Sequence, residues 1–208
     1  KQKSSIVLKK ETLIKQYNLS KKQVSLIELY LESLKKTNEH LNLVGSSTLK
    51  NPWDRHINDS LQLSKFIPDK KSSIIDLGTG AGLPGLVLTV YGYTNLLLAD
   101  SKLKKINFIK EFSKESKISV KAICSRVENI KNKKFDFVIC RAFAPLKKIL
   151  HYSLIFTKKN TSLLFLKGRS VKDEINDAKK YFKFQHKLYE SKSVGGGYVL
   201  NIKKFSKL

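Results

Sequence analysis

Residues 74–85 read Ile74-Ile75-Asp76-Leu77-Gly78-Thr79-Gly80-Ala81-Gly82-Leu83-Pro84-Gly85. A mostly apolar run of strand length meets three glycines at every second position, and Pro84 then opens a helical pattern that continues through Val90. Glycine is required where the backbone turns sharply, and where a ligand must lie against it with no Cβ in the way. Strand, glycine loop and helix begin an open parallel sheet. Ligands of such sheets bind at the carboxyl ends of the strands, where this loop falls.

Further strand-length apolar runs follow at 96–99, 120–123, 135–139 and 163–166, with a helical pattern over Leu103, Ile106, Phe108, Ile109 and Phe112. Strands alternating with helices predict a parallel sheet covered on both faces. Residues 184–190 and 198–204 flank Gly195-Gly196-Gly197, which predicts a hairpin closing the sheet antiparallel. Upstream, residues 9–17 read as a short helix. Ser20 with Gln23 fits a capping box, and Val24, Ile27, Leu31 and Leu34 then recur at helical spacing toward His40. Asn51-Pro52 predicts a third helix, with Asn51 as its cap and Asp54 in its first turn, carrying Arg55, His56, Asp59 and Leu63 toward Pro68. The predicted fold class is α/β, a doubly wound Rossmann-like sheet. One domain spans residues 1–208: a helical N-terminal segment over 1–70 on a core over 71–208 that ends in the hairpin.

Among 208 residues, 41 are Lys or Arg and 17 are Asp or Glu, a net charge of +24. Such an excess favours an anionic partner, most often nucleic acid. Part of it reflects a Lys-rich composition, since Arg occurs only at 55, 126, 141 and 169. Those few Arg are expected where a planar, two-pronged donor is needed, and Arg126 and Arg141 fall beside predicted site loops. Two cysteines in a chain this long exclude a disulfide scaffold. No apolar run approaches the roughly 18 residues of a membrane span, and residues 1–10 hold no apolar segment of signal-peptide length. A cytoplasmic protein is therefore expected, with no membrane partner. A monomer is expected too, since no heptad seam stands out. No His/Cys grouping has metal-ligand spacing, so no metal is expected.

Asp100 ends the second strand, where a carboxylate can accept from both hydroxyls of a ribose. With the glycine loop it points to an adenosine-containing cofactor. Gly80-Ala81-Gly82-Leu83-Pro84-Gly85 also matches the dinucleotide pattern, with Asp100 twenty residues after Gly80. A nicotinamide-dependent oxidoreductase is thus a rival. Against it, Asp76 would face a pyrophosphate badly but could bind a cationic amine, no substrate domain follows, and the terminal hairpin suits a methyltransferase sheet. The balance favours S-adenosyl-L-methionine. A non-catalytic basic RNA-binding module is a third reading.

The chain resembles the bacterial RsmG (glucose-inhibited division protein B) methyltransferases. The segments that carry the resemblance are Leu41-Asn42-Leu43-Val44, Arg55-His56-Ile57-Asn58-Asp59-Ser60-Leu61, Asp76 through Gly85, Ala99-Asp100-Ser101, Ser125-Arg126-Val127-Glu128, Cys140-Arg141-Ala142-Phe143-Ala144 and Lys167-Gly168. It implies a class I methyltransferase fold and transfer of a methyl group to N7 of a guanine in 16S rRNA of the small ribosomal subunit. By position it implies cofactor contacts at Gly78, Leu83, Val127, Glu128 and Arg141, with Asp100 on the ribose; Gly80 joins them from the glycine loop. The chain departs from the family at Cys140, usually Ser, and in its Gly-rich last hairpin, where a basic pair is usual.

The remaining residues fit that chemistry. Guanine N7 already presents a lone pair, so no general base is needed, and methyl transfer is governed mainly by alignment. Attack at a pyrimidine carbon would need a nucleophilic Cys, yet Cys124 and Cys140 sit at predicted strand ends and read as small buried residues. Methylation of an exocyclic amine often uses an Asn/Asp-Pro-Pro-aromatic loop, and the loop here is Arg141-Ala142-Phe143-Ala144-Pro145. Phe143 could stack on a base or pack in the loop. His56 could make a functional contact or pack, whereas His40, His151 and His186 read as surface or satisfied positions. The expected RNA contacts are Arg55, Lys102, Lys104, Lys167 and Arg169.

Overall fold

The computed structural model describes residues 10–208; residue 9 of the first expected helix lies outside them. Helix α1 (Lys10–Tyr17) is followed by α2 (Lys21–Asn38). The capping box is present: Ser20 Oγ accepts from Gln23 N at 3.2 Å, and Gln23 Oε1 accepts from Ser20 N at 2.9 Å. Ile27, Tyr30 and Leu34 form the buried stripe of α2. Tyr30 packs on Phe108 and Phe112, with ring centroids 6.2 and 5.6 Å away. Burial of each such side chain stabilises by about 1.5–3 kcal/mol.

The third helix differs from expectation. Residues 53–66 form a π-helical turn (Trp53–Asn58), one turn of α-helix, α3 (Asp59–Leu61), and a 3-10 turn (Gln62–Phe66). Pro52 occupies the cap position in helical conformation, and Asn51 makes no capping bond; its Nδ2 is buried with no partner among the described residues. Asp54, expected in the first turn, is fully buried. Its Oδ1 accepts from Asn58 Nδ2 at 2.8 Å and its Oδ2 from Val194 N at 2.6 Å. The irregular turns keep Asp54, Asn58 and Gln62 on one side, toward the loop after β6 (Phe182–Glu190). π-helical turns of this kind occur frequently at functional sites.

The sheet contains β1 (Ile74–Leu77), β2 (Leu96–Asp100), β3 (Lys121–Cys124), β4 (Phe137–Arg141), β5 (Ser162–Lys167), β6 and β7 (Tyr198–Lys207), in the order β3-β2-β1-β4-β5-β7-β6. The first five are parallel, and β7 runs antiparallel to both β5 and β6, as the hairpin reading expected. Helices α4 (Gly85–Tyr91) and α5 (Leu103–Ser116) join α2 on one face, covering Ile74, Leu98, Ile139 and Leu164. On the other face α6 (Leu146–Ser153) and α7 (Val171–Ala178) cover Ile75, Leu77, Val138, Cys140 and Phe165. Burial on both faces is why these strands read as unbroken apolar runs. Cys140 is buried as expected, but Cys124 is exposed, because β3 is an edge strand and Cys124 is its last residue. No described helix is long and apolar enough to cross a membrane.

Candidate active site

The carboxyl ends of β1, β2 and β4 meet at the glycine loop. Its turn is set by backbone bonds: Gly78 N and Thr79 N both donate to Ala99 O, at 2.9 and 3.0 Å. Gly78 has φ +67, and a Cβ there would run into the ring of Phe143. Gly82, at φ +92, would place a Cβ 2.7 Å from Leu86 Cβ. Position 78 is thus confined to glycine by both backbone conformation and contact. From the N-terminal segment, the buried Tyr30 hydroxyl donates to Ala81 O at 3.0 Å and holds the loop from behind.

Asp76 lies beneath the loop, fully buried. Its Oδ2 accepts from Thr79 Oγ1 at 2.6 Å and from Gly85 N at 2.9 Å, while Oδ1 is buried with no partner among the described residues. Burial pushes its carboxyl up to about 6, against the pull of those two bonds. Asp76 lines neither site cavity, so direct binding of an amine, expected from sequence, gives way to a charge acting through the loop. Asp100 closes the loop from the next strand: its Oδ2 accepts from Gly80 N and its Oδ1 from Lys102 N, each at 2.9 Å. It remains on the wall of a cavity.

Two cavities meet at Gly78, Lys105 and Ala142. One, about 360 Å³, is walled by Asp100, Val127, Glu128, Phe143 and Tyr152. Glu128 is held below the usual carboxylate range by its own backbone amide and by the Tyr152 hydroxyl. The other, about 470 Å³, is walled by Gly80, Leu83, Arg55, His56, Asp59, Arg141 and the loop after β6. The cofactor residues expected from sequence therefore divide between two adjoining spaces. Gly78, Asp100, Val127 and Glu128 line the smaller one; Gly78, Gly80, Leu83 and Arg141 line the larger. The volumes match a small-molecule site. A carboxylate at the β2 tip, a glycine floor and a buried unpaired carboxylate oxygen below it fit a nucleoside bearing a cationic tail, so the residues fit S-adenosylmethionine.

Arg141 is held on three sides. Nη1 donates to Arg55 O at 3.0 Å and to Asp59 Oδ2 at 3.2 Å, and Nη2 donates to His56 Nδ1 at 3.1 Å. Asp59 Oδ1 accepts from Gln62 Nε2 and Ser193 Oγ, at 2.9 and 3.1 Å. Burial, then the charges of Arg141 and Arg55, lower His56 to about 3.

Of the expected RNA contacts, Lys102 and Lys104 are exposed, Lys102 on the smaller cavity. Arg169 is exposed and donates to Gly195 O at 3.4 Å. Arg55 lies on the larger cavity with its guanidinium donating to Val194 O. Lys167 departs from the expectation of a free cation: its Nζ pairs with Glu174 Oε2 at 2.6 Å and donates to Ala144 O at 3.1 Å. Sequence reasoning missed Thr48, Lys105, Ser191 and Ser193. Lys105 had a signal, since it is the next residue after Lys104 in the same basic stretch; the serines had none, their partners being some 130 residues away.

The model of the family described as "GidB: rRNA small subunit methyltransferase G" matches residues 23–198. Ribosomal RNA small subunit methyltransferase G of Rickettsia prowazekii is 37% identical over 88% of this chain and 94% of its own length. Its namesake from Orientia tsutsugamushi (strain Ikeda) is 38% identical over 90% and 93%. Among solved structures, ribosomal protein L11 methylase of Lactobacillus delbrueckii subsp. bulgaricus superposes with a TM-score of 0.57 at 15% identity, over 69% of this chain and 75% of that one. TYW2 of M. jannaschii in complex with AdoMet does so with a TM-score of 0.55 at 16% identity, over 74% and 76%. The two solved structures share the fold, and the sequence matches go further: this chain belongs to the rRNA small subunit methyltransferase G family.

Proposed function

We propose that the protein transfers the methyl group of S-adenosyl-L-methionine to N7 of a guanine in 16S rRNA of the small ribosomal subunit. The observation that carries this reading is the pair of cavities joined at Gly78, with Asp100 on one side and Arg141 on the other. When bound, the cofactor supplies a methyl group on a sulfonium, open to in-line attack. In the smaller cavity the Asp100 carboxylate would hold the ribose hydroxyls, and Val127 and Glu128 would border the adenine. Gly78, Gly80 and Leu83 would support the amino-acid part, above the carboxylate of Asp76. Arg141 faces the larger cavity, where the guanine enters. No residue has to remove a proton, since N7 carries a free lone pair. The protein's task is alignment and exclusion of water.

The buried carboxylate beneath the loop, with one oxygen unpartnered among the described residues, favours this reading over a nicotinamide enzyme, whose pyrophosphate would be repelled. Of the cations expected at the RNA, Lys102, Lys104 and Arg169 are open to it, with Lys105 at the junction of the cavities, while Arg55 and Lys167 brace the rim. The proposal includes action as a monomer in the cytoplasm, where its substrate is. Incubation with labelled S-adenosylmethionine and unmethylated small subunits, followed by mapping of the modified base, tests it. Label at N7 of one guanine is expected; label at another ring nitrogen or on a pyrimidine refutes it. Calorimetry with NAD(H) and with S-adenosylmethionine separates the oxidoreductase reading, because one of the two should bind.

A further inference from the structure

On the rim of the larger cavity, the 3-10 turn Gln62–Phe66 packs against the end of β6 and the residues after it. Phe66 and Tyr189 pack with ring centroids 4.8 Å apart and their planes tilted by 53°, and Tyr189 leaves 38% of its surface in solvent. Lys65 and Lys192 are both exposed, and Lys65 lies on the same short turn whose Gln62 holds the backbone of Lys192. The backbone of Lys192 is fixed at both ends: its N donates to Gln62 Oε1 and its O accepts from Asn58 Nδ2, each at 3.1 Å. The neighbouring Lys65 ammonium, aided by partial burial, pulls Lys192 below the ordinary lysine range. Two like charges on a fixed backbone repel each other, and an anion between them would relieve that repulsion. The next residues, Ser191 and Ser193, already line the cavity.

We infer that Lys65, Lys192 and the open face of Tyr189 form a contact for single-stranded RNA next to the methyl-accepting cavity, the lysines holding a backbone phosphate and Tyr189 stacking on a base. The inference rests on the proposed rRNA substrate and gives it an entry side. Aromatic faces combined with cations are how proteins hold unpaired RNA strands. The hydrogen bonds from Gln62 and Asn58 mean the surface is built before RNA arrives, with no ordering of the loop to oppose binding.

The test compares Lys65→Ala/Lys192→Ala with Lys183→Ala/Lys207→Ala. The second pair removes the same charge from the far end of the same hairpin, where Phe182 pairs with Lys207. Binding of a 16S rRNA fragment is followed against salt, and KM for small subunits and affinity for S-adenosylhomocysteine are measured alongside. The rim variant should weaken RNA binding about tenfold and flatten the log–log salt slope by about 0.7, the single-strand value for one phosphate no longer neutralised. The distal pair should change both much less. Tyr189→Leu keeps the packing on Phe66 and should weaken RNA binding about tenfold with little change of salt slope. Unaltered affinity for S-adenosylhomocysteine shows that each variant is folded. Equal losses for the rim and distal pairs would overturn the inference, since bulk charge would then explain both. A rise in KM for whole subunits with unchanged binding of naked RNA would overturn it too, pointing to a ribosomal protein. A wild-type protein that methylates no rRNA would instead be a failure of the proposed function.

Discussion

His56 accepts a hydrogen bond at Nδ1 from the Arg141 guanidinium, so its ring proton sits on Nε2, 3.0 Å from Thr48 Oγ1. Arginine has only donors, so this imidazole can hold Arg141 only while neutral. The two replacements that mimic half of a histidine should therefore behave differently. His56→Asn retains an acceptor near Nδ1, and His56→Gln retains a polar group near Nε2. Affinity for S-adenosylhomocysteine should stay within about threefold of wild type in the first and fall about tenfold in the second, near the value of one hydrogen bond to a charged group. Calorimetry and KM-against-kcat measurements on both variants check this. Equal behaviour of the two would refute the role given to Nδ1.

Asp100 is expected to do two things at once. Both its oxygens already accept backbone bonds, from Gly80 and Lys102, and each keeps a lone pair for a ribose hydroxyl. Asp100→Asn turns an NH2 toward one of those amide donors and should cost at least tenfold in affinity for S-adenosylhomocysteine. Asp100→Ala should abolish turnover while RNA binding persists. Unaltered cofactor affinity in the Ala variant would mean that the sugar lies elsewhere.

Gly78 carries a steric prediction. Gly78→Ala must accept φ +67 and displace the Phe143 ring. The cost in unfolding free energy should be about 2–4 kcal/mol, of which about 1–2 is the left-handed backbone. Adding Phe143→Ala removes the clash but not the backbone cost, so the double variant should be less destabilised than the two single effects added together. Denaturant titrations around the cycle measure that coupling. Strict additivity would show that the ring does not rest on Gly78.

Much of this was legible in the chain. Repeated apolar runs with glycines at 78, 80 and 82 specify a buried parallel sheet with a loop at its tip, because few other backbones use those residues there. The box of Ser20 and Gln23 is local chemistry and is readable for that reason. What escaped depends on distant partners. Asp54 reads only as a first-turn acid until Val194, 140 residues later, donates to it. Lys167 looks free until Glu174 folds back onto it. Cys124 resembles Cys140 in sequence, and the position of β3 at the sheet edge is what separates their exposure.

Asp76 and His56 should impose opposite pH slopes on stability. Asp76 is raised from 3.8 to about 6 by burial, so between those values the folded chain holds the extra proton and stability falls as pH rises. His56 is lowered from 6.5 to about 3, so there the unfolded chain holds the extra proton and stability falls as pH drops. Each slope is at most about 1.4 kcal/mol per pH unit, so between pH 4 and 6 they largely offset one another. Asp76→Asn keeps an oxygen for Thr79 Oγ1 and Gly85 N and removes one slope. The variant should gain about 1–3 kcal/mol at pH 7 and little at pH 4, and its loss of stability on acidification should be steeper than wild type. Its affinity for S-adenosylmethionine should fall, since the negative charge beneath the loop is gone; a stabilised but impaired site is the usual consequence of relieving a functional strain. Unfolding titrations from pH 4 to 7, with calorimetry at pH 7, measure both effects. No gain at pH 7 would mean that the buried carboxylate is already compensated.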